Sequence, residues 1–433
     1  MPRRRVVVVG AGIGGLTAAV ALHRRGWSVT VCERAPEPPV TGAGIGLAPN
    51  ALRALHAIGV DVTRVTGSAV PAAMGVRRTD GRWLTRTGTA ELAARYGMPP
   101  IAVPRPALTV ALTGALPTEA LRYGTTVTAV DDAESRPVVR TEEGPDLPAD
   151  VVVAADGIHS PLRRAYFPAH PGLRYLGETA WRALVEAPDL GIQAMSETWG
   201  RGGRFGVTPL TDGRFYLYAT AAVPAGHRFA DPRAELRRRF GSWHDPIPAL
   251  LDRVDRLAPT DVLHHDLHEL AAPLPRLHHG RIAWLGDAAH AMAPNLGQGG
   301  CQAVEDAVVL AHLLPAGDGR SDGDCGRDGH GGDGGGGSAG DDGGGGGDRR
   351  VGSGGGVDGA GRPDAVPAAL AAYTAARRDR TDAVRVRARR VGRLGALRHP
   401  LAVAARDLAV RATPTRLALR GMDDLFDGFR LPG

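Results

Sequence analysis

The 433-residue sequence contains no lysine, so all 52 of its basic residues are arginine. Cysteine is nearly absent as well. Cys32, Cys301 and Cys325 have neither metal-ligand spacing nor an even-numbered framework, which excludes a disulfide scaffold and points to a reducing cytoplasm. Long apolar runs are missing, and none reaches the length of a membrane span. Charge is not segregated: the arginines are scattered among 46 acidic residues, so a net charge of +6 does not amount to a nucleic-acid-binding surface. What is present is a chain with 43% hydrophobic residues, long enough to bury a large core in two domains with a tail.

The first residues, MPRRRVVVVGAGIGGLTAAVALHRRG, combine a basic head, an apolar body and an Ala19-Val20-Ala21 sequence, as a secretory signal would. The glycine spacing inside that stretch belongs instead to a nucleotide-binding turn, which cleavage would destroy. Residues 4–9 read as a buried strand, 14–25 as a helix and 28–33 as a second strand, a βαβ start. A helix is expected from about Pro49 to Ile58, with proline in its first turn and Gly59 after its end. Asp80-Gly81 marks a hairpin turn, Pro106–Leu116 reads as a helix, and DVVVAAD as a strand ending at Asp156. From 172 to 272 the pattern becomes one of alternating strands with two short helices near 232–254, read as an inserted antiparallel sheet. GRIAWLGD then returns the chain to the first domain. Residues 316–363 are roughly half glycine and read as disordered low complexity, and helical sequence fills 364–433.

Two motifs carry chemistry. Gly10-Ala11-Gly12-Ile13-Gly14-Gly15 lies between a strand and a helix: Gly10 permits the turn, Gly12 lets backbone approach a pyrophosphate, and Gly15 allows close helix packing. Glu33 ends the second strand, placed to bond ribose hydroxyls. This pattern predicts a dinucleotide without separating NAD from FAD. The later stretch GDAAHAMAPNLGQGGCQAVEDA makes that separation. Asp287 closes a strand and can hold a ribityl hydroxyl, and Pro294 with Gly297-Gln298-Gly299 leads into a helix whose N-terminal amides can face the pyrimidine edge of a flavin. NAD has no ribityl chain.

GAGIGGLTAAVAL with Glu33-Arg34, GAGIGLAPNALRALHAIG, DGIHSPLR and the late glycine stretch together resemble the FAD-dependent aromatic hydroxylases, single-component flavoprotein monooxygenases such as the salicylate, hydroxynicotinate and urate hydroxylases. The resemblance covers most of 4–315 and resumes at ALAAYTAARRDRT. It implies an α/β fold: a Rossmann-like FAD-binding domain (1–171 and 273–315), an inserted antiparallel β-sheet substrate domain (172–272) and C-terminal helices (364–433), with 316–363 as insert. It also implies bound FAD reduced by NADH or NADPH, a flavin 4a-hydroperoxide and hydroxylation of an electron-rich ring. The FAD contacts so implied are Gly10, Gly12, Ile13, Gly14, Gly15, Glu33, Arg34, Gly46, Arg105, Val127, Asp156, Gly157, Arg163, Asp287, Gly297, Gln298, Gly299 and Gly300. Pro294 is placed beside the reactive face, and Arg204 and Tyr216 are placed at the substrate, as in the urate branch. An arginine can stabilise an anionic substrate and a tyrosine can share its proton. Cys301 is assigned to packing.

Other readings stay open. A flavoprotein epoxidase or reductase acting on an isoprenoid or polyketide shares the same frame, and a non-catalytic nucleotide-binding regulator would lack the flavin loop. A flavin halogenase would need a lysine. HHDLHE at 264–269 is rich in metal-binding side chains, yet ligands on alternate strand positions stand about 7 Å apart and do not converge on one ion. The basic, partly amphipathic C-terminus fits a helical cover better than a membrane surface. The expected partners are a small aromatic substrate and molecular oxygen, for a monomer or homodimer.

Overall fold

The computed structural model describes residues 3–38, 43–66, 70–132, 136–317 and 364–432. Residues 318–363, and with them Cys325 and nearly all of the glycine-rich insert, lie outside the described residues. The valine-rich runs form a six-stranded sheet in the spatial order His278–His279, Ile282–Trp284, Val151–Ala154, Arg5–Val9, Ser28–Cys32 and Leu121–Arg122. Every pairing is parallel except the one made by His278–His279. Val6–Val9 and Val151–Ala154 are buried throughout, as strands covered by helices on both faces must be. Gly10 turns the chain with φ +102° straight into the Ile13–Arg24 helix. At Gly14 a Cβ would stand 2.7 Å from Leu285 Cδ1 and 3.1 Å from Ala303 Cβ, so only glycine admits the close crossing with the Gly299–Leu313 helix.

A second, seven-stranded sheet runs in the order Leu263–Leu270, Leu173–Val185, Phe215–Ala221, Gly203–Pro209, Ala194–Trp199, Ala73–Arg78 and Trp83–Gly88. The last two strands are the hairpin turned at Asp80-Gly81, where Gly81 has φ +84°. This sheet therefore draws on 73–88 as well as on the stretch after 172. Ala194–Trp199 meets Ala73–Arg78 in parallel, the one parallel pairing in the sheet. No tight turn joins those two strands, so nothing local dictates their direction. Period-two alternation separates the faces. Trp181, Val185, Phe205, Val207 and Leu217 pack with Leu236, Phe240, Leu250 and Leu251 of the helices Pro232–Phe240 and Ile247–Val254 into a core of their own. Arg182, Leu184, Arg204, Thr208, Tyr216 and Tyr218 occupy the opposite face.

The helix Val366–Gly395 spans 30 residues. Despite its arginines it is an interior element. Tyr373, Arg377, Thr381, Arg385 and Ala388 recur every three or four residues and are buried. Arg377 Nε donates to Asp306 Oδ1 at 2.7 Å and its Nη2 donates to Gln302 Oε1 at 2.8 Å, while Nη1 bonds Glu305. Arg380 Nε reaches Glu305 Oε2 at 2.7 Å, and Asn50 Nδ2 donates to Glu305 Oε1 at 2.6 Å. Asp306 Oδ2 accepts from the Gly286 amide at 3.0 Å and faces His290 Nε2. Burial alone would push both carboxyls up, but Arg377 and Arg380 around Glu305, and His290 and Arg377 around Asp306, hold them below the ordinary carboxylate range. Cys32 and Cys301 are buried free thiols, pushed by burial to about 11 and about 12. Among the described residues no helix is long and apolar enough to cross a membrane.

Arg377→Ala removes the arginine shared by both buried carboxylates, leaving Glu305 with Arg380 and Asn50 and Asp306 with His290 and the Gly286 amide, and losing one partner of a buried pair costs up to about 3–5 kcal/mol. Because the folded carboxyls titrate below their unfolded value of roughly 4, the stabilisation is present above that pH and is lost as pH falls toward the folded values. Urea unfolding at neutral pH should show the full loss. The difference between wild type and variant should shrink in acid, and a difference independent of pH would contradict the assignment.

Candidate flavin and ring-binding site

The adenosine end is built where the first two strands stop. Gly12 precedes the Ile13–Arg24 helix, and a Cβ there would meet nothing within 4 Å, leaving the helix N-terminus open to a phosphate group. At Gly15 a Cβ would fall 2.0 Å from Gly10 O, so the turn itself demands glycine. Glu33 Oε2 accepts from the Ala11 amide at 2.8 Å and Oε1 from Ala35 at 2.9 Å. These bonds fix the carboxylate beside the glycine turn, with further lone pairs facing outward. Thr125 donates its amide to Glu33 O at 2.8 Å, which brings Val127, at the head of the strand Val127–Asp131, to this end. Arg34 is exposed beyond Glu33. Arg105 is exposed too, opening the helix Arg105–Thr113.

At the flavin end, Gly286 has φ +58° and ψ −142°, a backbone region reserved to glycine, and it presents Asp287 outward. The Asp287 carboxylate is exposed and has no hydrogen-bond partner among the described residues. Arg163 is buried beneath this loop. Its Nη1 donates to Ala288 O at 3.0 Å and its Nη2 to Ile158 O at 2.6 Å, tying the Asp156-Gly157 turn to the Asp287 loop. Asp156 Oδ1 is buried without a partner, and burial raises its carboxyl above the usual range. Gly297, φ +63°, and Gly46 would both carry a Cβ into open space. Gln298 is buried, and Gly299 and Gly300 open the Gly299–Leu313 helix, whose first amides have no intrahelical acceptor. An open approach at Gly12, an exposed Asp287 carboxylate and helix amides without intrahelical acceptors fit a dinucleotide flavin.

The Tyr216 side of the seven-stranded sheet meets this loop at one point and the strand Gly44–Leu47 at another. Arg204, 2% exposed, donates through Nε to Thr220 Oγ1 at 3.1 Å, through Nη2 to Glu178 Oε2 at 3.0 Å, and through Nη1 to Asn295 Oδ1. Every guanidinium nitrogen thus has a protein partner, and Arg204 stands as a pillar under the loop that carries exposed Pro294. Asn295 also donates to Ala388 O at 3.0 Å, which adds the long C-terminal helix to the junction. The second point is Tyr216, whose Cβ and Cγ lie 2.7 Å from where a Cβ of Gly44 would be. Between these points lie Gly206, Tyr218 and Glu197. Asn295, Glu178, Glu197 and Tyr218 were not singled out in the sequence. Only Tyr218 carried a local signal, since alternation puts it on the face of Tyr216. The HHDLHE residues sit at the far edge: His264 meets Thr179, His265 meets Arg182, Asp266 accepts from the Gly226 amide, and Glu269 pairs with Arg174 and Arg389.

This fold and site define an α/β flavoprotein with a second, seven-stranded sheet. The family described as FAD binding domain matches residues 3–317, and the chain belongs to that family. It is 38% identical over 312 residues to the aurachin C monooxygenase/isomerase of Stigmatella aurantiaca, covering 71% of this chain and 80% of that relative. It is 34% identical over 319 residues to an FAD-dependent urate hydroxylase of Klebsiella pneumoniae, covering 72% and 81%. The crystal structure of Klebsiella pneumoniae HpxO complexed with FAD and uric acid superposes with a TM-score of 0.80 at 28% identity, covering 99% of this chain and 98% of that one. The chain is an FAD-dependent monooxygenase, an oxidoreductase.

Asp287→Ala removes a charge-assisted hydrogen bond worth about 1.5–3 kcal/mol, so FAD affinity measured by ultrafiltration should fall roughly 10- to 150-fold. An unchanged affinity would contradict the ribityl role. A methyl at position 392 would lie 2.1 Å from Asn295 Nδ2, and Asn295 is held from both sides. Gly392→Ala should therefore cost about 1–3 kcal/mol by overpacking, read as a lowered unfolding midpoint.

Proposed function

We propose that this protein uses NADH or NADPH and molecular oxygen to hydroxylate an aromatic or heteroaromatic small molecule held between the Pro294 loop and the seven-stranded sheet. The observation that carries this reading is a pair of contacts: Arg204–Asn295 ties the half-buried, tyrosine-lined sheet face to the Pro294 loop, and Tyr216–Gly44 ties it to the strand Gly44–Leu47, whose Ile45 lies against Gly300 at the start of the Gly299–Leu313 helix. The names of the relatives, an FAD-dependent urate hydroxylase and an aurachin C monooxygenase/isomerase, agree with a ring substrate. Bound FAD, reduced by NADH or NADPH, would pass the reducing equivalents to oxygen and activate it.

The chain's own groups do the rest. The glycine turn and Glu33 hold the adenosine and pyrophosphate, and Asp287 holds a ribityl hydroxyl. The N-terminus of the Gly299–Leu313 helix stabilises negative charge at the pyrimidine edge through its unpaired amides and dipole. Arg204 positions the loop through Asn295, and Tyr216 orients the ring by its hydroxyl. Met74 and Met195 share the sheet face of Glu197 by register, and Ile45 lies against Gly300; such apolar side chains exclude water, which keeps activated oxygen from being lost as peroxide. The reaction belongs to the cytoplasm, where the buried thiols stay reduced.

The purified protein should be yellow and release FAD, not FMN, on denaturation. A ring substrate should accelerate NAD(P)H oxidation and emerge with one atom from isotopically labelled oxygen gas. Label recovered only in hydrogen peroxide with every stimulating ring would instead define an oxidase. Tyr216→Phe should lower hydroxylation with FAD still bound.

A further inference from the structure

Between the two contacts, the sheet face has two polar corners of opposite character. In the first, Glu197 is half-buried and accepts from the Tyr218 hydroxyl at 2.6 Å through Oε2 and from Trp199 Nε1 at 2.6 Å through Oε1. Each carboxylate oxygen retains a second lone pair. Arg204, the nearest cation, stands 3.7 Å off and is itself bonded to Glu178. In the second corner, Tyr216 lies beside Arg182, whose Nη1 meets His265 Nε2 at 2.6 Å. Burial pushes the Tyr216 phenol up and the guanidinium moderates it, so the phenol keeps its proton. A protonated phenol offers its O–H to a ligand oxygen.

The two corners sit on neighbouring rows of the sheet. Glu197 pairs with Gly206, which pairs with Tyr218, while Thr208 pairs with Tyr216. The tyrosine rings are 5.6 Å apart, which puts the Tyr216 phenol and the Tyr218–Glu197 pair on one stretch of the same face. We propose that the site selects a neutral heteroaromatic ring with an N–H at one edge and an oxygen acceptor at the opposite edge, a cyclic vinylogous amide of the 4-pyridone or 4-quinolone kind. Glu197 is its specificity-determining residue, receiving the N–H, while Tyr216 donates to the ring oxygen. The inference rests on the ring-hydroxylation reading. A ring carboxylate would meet Glu197 as a like charge and find Arg204 already engaged by Glu178, Thr220 and Asn295, an arrangement that discriminates by repulsion as well as by attraction.

The test titrates the FAD-loaded full-length protein with 4-quinolone and with quinoline-4-carboxylate, following the flavin absorbance change for affinity and NAD(P)H oxidation for stimulation. The neutral ring should bind at least about tenfold tighter, the equivalent of one like-charge repulsion of about 1.4 kcal/mol. Glu197→Gln should retain FAD and move the ratio about tenfold toward the carboxylate, a change in selectivity that a purely structural role would not produce. Tighter binding of the carboxylate to wild type, or an unchanged ratio in a Glu197→Gln protein that holds FAD, overturns the proposal. If that variant does not hold FAD, the wild-type ratio decides alone. Turnover confined to other, anionic rings overturns this inference and leaves ring hydroxylation standing. If no ring is labelled by oxygen gas, both fall.

Discussion

The ion cluster around Arg377 is the constraint on which the rest of the molecule depends. Glu305 and Asp306 belong to the same helix that Gly299 and Gly300 open. Two adjacent carboxylates fully removed from water are tolerable only because Arg377 and Arg380 come down from the C-terminal helix, while the Gly286 amide and His290 come in from the flavin loop. The cluster therefore joins three segments far apart in sequence and fixes the pitch of the helix that faces the cofactor. An apolar core could hold these segments together with equal strength. The charges add register, because each carboxylate oxygen has an assigned donor.

From that fixed helix the site is assembled outward. The Asp287 loop hangs between Asp306, which bonds Gly286, and Arg163, which bonds Ala288. The same loop then reaches Asn295, where Arg204 of the seven-stranded sheet and Ala388 of the C-terminal helix meet. Arginine dominates these junctions because a guanidinium can bond several planar acceptors at once. Arg163, Arg204 and Arg377 each bridge at least two segments. In a chain without lysine, scattered arginines thus do structural work inside the fold rather than forming a basic surface.

The sequence determined what depends on neighbours along the chain. The Gly10–Gly15 turn, the strands on either side of it, Glu33 at a strand end, the Asp80-Gly81 hairpin and the Gly297–Gly300 lead into a helix each rest on local backbone rules: where φ must be positive, where a Cβ cannot fit, where a helix leaves amides free. That local content was enough to recognise a flavin-binding family. Tertiary structure decided what depends on distance. Ala73–Arg78 pairs with Ala194–Trp199 across more than a hundred residues, and no turn announces it. Arg204 reads in sequence as a strand arginine open to an anion, and only packing engages it with Glu178, Thr220 and Asn295. Glu197 has no motif around it, and its place at the ring face follows from register alone. Local chemistry is written in adjacent residues, whereas the identity of a charge's partner is set by which strands and helices the folded chain brings within hydrogen-bond reach.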